Sequence, residues 1–168
     1  MNDIPVLPTY FLDTSAIVKL FIDEPGALRV RKLLASGGGV LHTSWVLVAE
    51  AMGVLKRLWL NEEINDQQYD GHIYHLFSLL RAGHLDPVDI TVYDGRPRLV
   101  AYAFDFVEIR TKHPQLDAGD ILQFTAIREG YLDHLAGESR PRLVTADRKL
   151  RDAAVAEGIT VEFVNKDW

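Results

Sequence analysis

The stretch Tyr10-Phe-Leu-Asp-Thr-Ser-Ala-Ile-Val-Lys-Leu-Phe21 decides the fold that we expect for this chain. It opens with a short apolar run that ends on an acid, Asp13, and continues through Thr14 and Ser15 into an apolar-rich segment that suits a helix. A strand that carries a carboxylate to its C-terminal end, beside the start of a helix, is how open α/β sheets build binding sites. We therefore predict an α/β fold with a site at this edge of the sheet.

Predicted strands and helices alternate along the rest of the chain. Short apolar segments predict strands at 40–43, 87–92, 142–145 and 159–164. Helical spacing and capping residues predict helices at 27–35, 45–60, 65–81, 97–110, 117–129 and 148–157, and a loop is expected at 135–141. This alternation is typical of a parallel sheet covered by helices on both faces. No repeat or linker divides the sequence, so we predict a single domain over residues 1–168.

Composition narrows the functional classes. The chain has 168 residues, 48% hydrophobic and 25% charged, as in ordinary soluble domains. Its net charge of −6 argues against binding nucleic acid through bulk positive charge, although bound cations would reverse the sign locally. The absence of cysteine excludes disulfides and thiolate metal sites. No apolar run approaches the ~20 residues of a membrane span, and the first residues do not resemble a signal peptide, so we expect a cytoplasmic protein without membrane association.

Each of four acidic residues has two possible explanations, a structural role or a role in a binding site. Asp13, Asp120 and Asp147 each lie at a strand end or a helix start, where helix capping is the alternative to a site. In the predicted helix 45–60, the neighbours of Glu50 at helical spacing are apolar, so we expect its carboxylate inside an apolar face, where metal binding would offset the cost of burial. A buried salt bridge or a partly exposed edge position is the alternative to metal binding. Together, the four carboxylates would repel one another unless a cation lay between them. Because these ligands are all oxygens, we predict a site for a hard ion, Mg²⁺ or Mn²⁺.

Further candidates surround this predicted metal site. The hydroxyls of Thr14, Ser15 and Thr145 could bind a phosphate oxygen or a metal-bound water, or they could cap the neighbouring helices. Asp117 is either the cap of the helix that contains Asp120 or an outer group of the site.

Such a site suits phosphodiester hydrolysis. Two oxygen-bound cations activate water and stabilise the leaving oxygen, so no nucleophilic side chain is needed. The sequence contains neither a Gly-x-Ser-x-Gly elbow nor a Walker loop. Arg148, with Lys149 and Lys19, could contact a polynucleotide backbone, or these could be solvated helix residues without a function.

Four segments, in order, resemble the motifs of the PIN-domain family, most closely its VapC-type toxins from bacterial and archaeal toxin–antitoxin pairs. They are residues 11–19, with Asp13; 43–50, ending at Glu50; 116–123, where the family's acid aligns with Asp120; and 143–150, with Asp147. The resemblance implies a three-layer α/β/α sandwich with metal-dependent ribonuclease activity. It also implies a frequent homodimer, and inhibition by a small antitoxin that places a basic side chain in the acidic site. The role of residues 61–113 stays open.

Three alternative functions are weighed beside a toxin ribonuclease. The first is a housekeeping PIN-domain RNA-processing nuclease without an antitoxin. The second is a non-catalytic PIN-like nucleic-acid-binding module, against which the presence of all four acids argues. The third is a haloacid-dehalogenase-type phosphatase, which would need a second Asp two residues after its nucleophile, where this chain has Ser15.

Overall fold

The computed structural model describes residues 8–89, 92–93, 96–97, 99–128 and 141–166. The strands in these ranges are β1 (Thr9–Leu12), β2 (Val40–Ser44), β3 (Asp86–Val88), β4 (Val92–Tyr93), β5 (Arg96–Pro97), β6 (Arg142–Thr145) and β7 (Val161–Phe163). The helices are α1 (Thr14–Val18), α2 (Ala27–Ser36), α3 (Trp45–Leu60), α4 (Asp66–Arg81), α5 (Leu99–Lys112), α6 (Ala118–Arg128) and α7 (Arg148–Ala156). Most of the predicted loop at 135–141 lies outside the described residues.

The central sheet has the strand order β3-β2-β1-β6-β7, and every neighbouring pair in it is parallel. The predicted three-layer α/β/α sandwich is confirmed, and β1 is its middle strand. Because all five strands run the same way, their C-terminal ends meet at one edge. The register pairs Leu12 with Val144, which sets the residues that follow β1 beside those that follow β6. This pairing positions the site.

The predicted strand at 87–92 is only partly right. β3 ends at Val88, and Val92 belongs instead to a separate antiparallel pair of β4 and β5. The physical reason lies in the partner strand. The last register pair joins Ser44 to Val88, and Ser44 is also the N-cap of α3, so β2 offers no further residue for β3 to pair with.

The core lies on both sides of the sheet, beneath the helices that cover it. Phe11 and Leu12 of β1 and Leu143 and Val144 of β6 are fully buried, as expected for the inner strands of a parallel sheet. Helix α3 contributes an apolar stripe that consists of Leu47, Val48, Ala51 and Leu55.

Local sequence signals place the helix ends. The side chain of Ser44 accepts a hydrogen bond from the Leu47 amide, and α3 then runs over the residues predicted for it. Asn65 and Gln68 form a reciprocal capping box at the start of α4. Within the described ranges, no helix combines the length and apolarity that crossing a bilayer demands.

Candidate active site

Asp13 lies at the junction between β1 and α1. It is the N-cap of α1, since its Oδ1 accepts a hydrogen bond from the Ala16 amide at 2.8 Å. The residue is only 3% exposed. Asp13 therefore caps a helix, which is the structural alternative given for it above. It also presents a buried carboxylate at the C-terminal edge of the sheet.

Three hydroxyl contacts hold the carboxylate of Asp13. Ser15 Oγ lies 2.8 and 3.0 Å from its two oxygens, and Thr145 Oγ1 donates to Oδ2 at 2.5 Å. Burial raises the pKa of Asp13 from 3.8 to about 6; hydrogen bonds from Thr145, Ala16 and Ser15 counteract part of that rise, and the charge of Asp147 adds to it. Asp13 is therefore an acid whose ionised form is costly in the folded chain.

The same hydroxyls tie β1 to β6. Ser15 Oγ accepts a hydrogen bond from the Ala146 amide at 2.8 Å, and Thr145 Oγ1 accepts one from the Asp147 amide at 2.9 Å. Both hydroxyls are thus engaged with carboxylates and backbone of the site. These contacts give the two hydroxyls a positioning role toward the acids.

The exposure of Glu50 differs from what the sequence predicts. We expected its carboxylate inside the apolar face of its helix, but Glu50 is exposed. The buried stripe of α3 passes through Leu47 and Ala51, which leaves Glu50 at the edge of that stripe. Within the part of the chain that the structure describes, its carboxylate forms no salt bridge and instead accepts a hydrogen bond from Thr14 Oγ1 at 2.6 Å.

Glu50 also reaches the third acidic motif. Its Oε2 would lie 3.7 Å from a Cβ added at Gly119, and Asp117 Oδ1 would lie 3.3 Å from the same point. The start of α6 therefore packs directly against the carboxylate of α3. A Cβ at position 119 would crowd the carboxylate of Asp117, whereas its distance to Glu50 is that of an ordinary van der Waals contact.

Asp117 and Asp120 cap α6 reciprocally. The Asp120 amide donates to Asp117 Oδ1 at 2.9 Å, and the Asp117 amide donates to Asp120 Oδ2 at 3.3 Å. Burial, followed by the charge of Asp117, raises the pKa of Asp120 from 3.8 to about 7; Asp147 and Asp13 also raise it, while the backbone hydrogen bond lowers it. The charges of Asp13 and Asp147, which are distant in sequence, therefore contribute to the raised pKa of Asp120.

Asp147 is the N-cap of α7. Its Oδ1 accepts hydrogen bonds from the Lys149 amide at 2.6 Å and the Leu150 amide at 3.2 Å. The adjacent Arg148 is exposed and lies outside the lining of the cleft described next. Lys19, for which a polynucleotide contact and a solvated position were the two alternatives, is instead buried. Its Nζ donates to Glu24 Oε1 and to the Pro25 carbonyl, each at 2.8 Å.

The acids converge on one cavity of about 540 Å³, here called the carboxylate cleft. It contains all four predicted ligands, together with Asp117, Thr14 and Ser15. Its full lining is Asp13, Thr14, Ser15, Val18, Ile22, Glu24, Glu50, Val54, Arg57, Leu58, Glu63, Asp117, Asp120, Gln123 and Asp147. Segments far apart in sequence thus line one cleft. The pairing of β1 with β6 accounts for the approach of Asp13 and Asp147.

The sequence reasoning missed two lining residues of different chemistry, Arg57 and Gln123. Periodicity could have found both. Arg57 lies seven residues after Glu50, and Gln123 lies three after Asp120, spacings that return to the same face of a helix. Gln123 is 3% exposed, and its Oε1 has no hydrogen-bond partner among the described residues.

The carboxylate cleft fits a hard divalent cation by its chemistry. Its ligands would be oxygens, and the pKa values of Asp13 and Asp120 are raised first by burial and further by the charges of neighbouring acids. A bound cation would favour the ionised forms of both carboxyls. In the ranges that the structure describes, no three Asp, Glu or His side chains already stand close enough to share an ion. Coordination would therefore need side-chain rotation, which the exposed position of Glu50 permits.

Fold and cleft together define an α/β protein with an acidic site at the C-terminal edge of a parallel sheet. The family model for the PIN domain matches residues 10–156, and the chain belongs to the PIN-domain family. Members of this family are generally nucleases that use divalent metals. This membership excludes the haloacid-dehalogenase alternative.

One solved structure shows the same fold at low sequence identity. It is the crystal structure of VapBC2 from Rickettsia felis bound to a DNA fragment from their promoter. The match has a TM-score of 0.56 and 19% identity, and covers 92% of this chain and 98% of that one. No curated protein matched this sequence.

Proposed function

We propose that this protein is a Mg²⁺-dependent ribonuclease, with Mn²⁺ as a plausible substitute, and the toxin of a type II toxin–antitoxin pair. One observation carries the proposal. Four acids from four separate segments meet in the carboxylate cleft, and the pKa of two of them is raised, in part by the charge of the other acids. A nuclease family and this constellation together favour hydrolysis of a phosphodiester bond.

Asp13, Glu50, Asp120 and Asp147 would hold the cation. When bound, it would activate water and stabilise the negative charge that develops on the phosphate. The side chains of the protein position these carboxylates by hydrogen bonds: Thr145 and Ser15 hold that of Asp13, and Thr14 holds that of Glu50. The two hydroxyls that line the cleft, on Thr14 and Ser15, already donate to these carboxylates, so water is the nucleophile in this proposal.

An antitoxin partner is part of the proposal. The solved structure with the same fold is a VapBC2 assembly bound to promoter DNA, which supports a toxin role here without identifying the partner. A homodimer, a single-domain organisation and a cytoplasmic location belong to the same proposal. The housekeeping alternative predicts no antitoxin. Expression that arrests growth, with rescue by a neighbouring small gene, would favour the toxin; harmless expression would favour the alternative.

Incubation of the purified protein with mixed single-stranded RNAs tests the activity. We expect cleavage with Mg²⁺, none after chelation, and none by the Asp13→Asn variant. Asp152→Asn is a matched control, because it removes an exposed carboxylate from α7 outside the cleft. DNA of the same sequence tests the preference for RNA. Equal cleavage by wild type and Asp13→Asn, or cleavage that persists after chelation, would refute the proposal.

A further inference from the structure

One wall of the carboxylate cleft is a single face of α3. Glu50, Val54, Arg57 and Leu58 all line it, at spacings of four, seven and eight residues from the first. These spacings return to the same side of a helix. Seven residues correspond to about 10 Å along a helix axis. This α3 wall therefore leads from the four proposed metal ligands, here called the acidic quartet, to the guanidinium of Arg57 farther along the cleft. The acidic quartet consists of Asp13, Glu50, Asp120 and Asp147.

Arg57 is the single basic residue among the described residues that line the cleft. The same lining contains seven acids: Asp13, Glu24, Glu50, Glu63, Asp117, Asp120 and Asp147. An isolated cation in so acidic a cleft is expected to pair with a neighbouring carboxylate.

Within the part of the chain that the structure describes, the exposed guanidinium of Arg57 makes neither an ion pair nor a hydrogen bond. The glutamates of the cleft already have partners of their own. Glu24 binds Lys19 at 2.8 Å, and Glu63 accepts from the Asn61 side chain at 3.3 Å. Glu50, in turn, accepts from Thr14. The donors of Arg57 are therefore available to a bound ligand.

The stretch between the quartet and Arg57 is apolar. Val54 and Leu58 of α3 line it, and Val18 and Ile22 contribute from the segment that begins with α1. Apolar walls can contact the sugars and base faces of a single strand, whereas a guanidinium fits phosphate through paired N–H donors. Side chains on a helix tilt toward its N-terminus, which directs Arg57 back toward Glu50.

We propose that the α3 wall is the track of the RNA strand, and that Arg57 binds a phosphate neighbouring the one that is cleaved. The proposal rests on the proposed ribonuclease function and adds the means by which the strand is held. Arg57 supplies the positive charge that the protein surface of the cleft otherwise lacks among its described residues. Its role is binding, so its loss acts on affinity for RNA and on the dependence of that affinity on salt.

Binding of a fluorescently labelled single-stranded RNA of mixed sequence, at rising KCl with Mg²⁺ present, tests this. All proteins carry Asp13→Asn, which keeps the RNA intact. Adding Arg57→Gln should weaken binding about fivefold and reduce the slope of log affinity against log salt by about 0.7. Arg57→Lys should retain most of the slope, because it keeps the charge. Lys56→Gln is the matched control, since it neutralises an exposed cation on the same helix outside the cleft lining.

Equal affinity and slope for the Arg57→Gln and Lys56→Gln proteins would overturn the proposal, as would absence of RNA binding by the parent protein. Unchanged melting temperatures show that the variants are folded. The two proposals fail separately. Arg57-dependent binding by a protein that never cleaves RNA would refute the nuclease assignment alone. Cleavage with an unchanged KM in Arg57→Gln would refute the phosphate contact alone.

Discussion

Replacing Asp13 by Asn should stabilise the metal-free protein at pH 8, even though it removes a proposed metal ligand. Asp13 is buried at 3% exposure, and its pKa in the folded chain is raised from 3.8 to about 6. At pH 8 the carboxyl is ionised in both folded and unfolded chains. The folded chain therefore carries the cost of a buried charge that the unfolded chain does not.

The magnitude follows from the two pKa values. A tenfold change in proton affinity corresponds to about 1.4 kcal/mol, so a rise from 3.8 to about 6 costs roughly 3 kcal/mol once Asp13 is fully ionised. Between pH 4 and pH 6 the folded chain binds more protons than the unfolded one, so stability falls as the pH rises through this window. The raised pKa of Asp120 acts in the same direction, and water screening of this partly exposed group reduces its effect on stability below what the pKa alone implies.

Asparagine mimics the protonated acid and can still accept the hydrogen bonds of Ser15 and Ala16. Urea unfolding at pH 8 with chelator should therefore find Asp13→Asn more stable by about 2–3 kcal/mol. In thermal unfolding this difference corresponds to roughly 4–12 °C in Tm. At pH 4 the two proteins should differ by less than about 1 kcal/mol. Millimolar Mg²⁺ should raise the Tm of the wild type, since it binds the native state, and should raise that of Asp13→Asn less.

Two results would refute this reasoning. If Asp13→Asn is less stable than the wild type at pH 8 without metal, the buried charge is not costly, and Asp13 is a helix cap whose full strength needs its charge. If Mg²⁺ raises the Tm of both proteins equally, the ion binds elsewhere. Asp152→Asn, applied to an exposed acid of α7, controls for nonspecific charge effects.

Two further changes separate site architecture from general stability. Thr145→Val removes a fully buried hydroxyl that donates to Asp13 and accepts from the Asp147 amide; it should cost about 1–3 kcal/mol in urea unfolding. Thr145→Ser should lose far less, and equal losses for Val and Ser would exclude the hydroxyl as the cause. Asn65→Ala breaks the capping box of α4 and should lower stability by about 1 kcal/mol while leaving RNA cleavage per folded molecule unchanged. A reduced kcat in Asn65→Ala would show that α4 acts on the site.

Local signals were sufficient for much of the fold. Ser44 and Asn65 cap their helices as polar residues before apolar-periodic segments are expected to do, and α3 has the bounds that its sequence predicts. The strand at 87–92 shows where such signals end. Its residues favour a strand throughout, but β3 ends at Val88 because its partner β2 turns into α3 at Ser44. The length of a strand depends on the strand with which it pairs, and a local sequence pattern does not identify that partner.

The sequence by itself predicted which acids share a site. Asp13 and Asp147 each follow a strand, and the C-terminal ends of parallel strands share an edge. Glu50 and Asp120 were added by their place on predicted helices and by the order of the motifs that resemble the PIN-domain family. Only the tertiary structure decided how each acid is held. Asp13 meets Thr145 of β6, 132 residues away in sequence, whereas Glu50 is exposed and meets Thr14 and Gly119. It also decided that Arg57 has no ion-pair partner among the described residues, because the glutamates around it are bound to other groups. Burial and partner choice depend on contacts between distant segments, which spacing along one helix or strand does not encode.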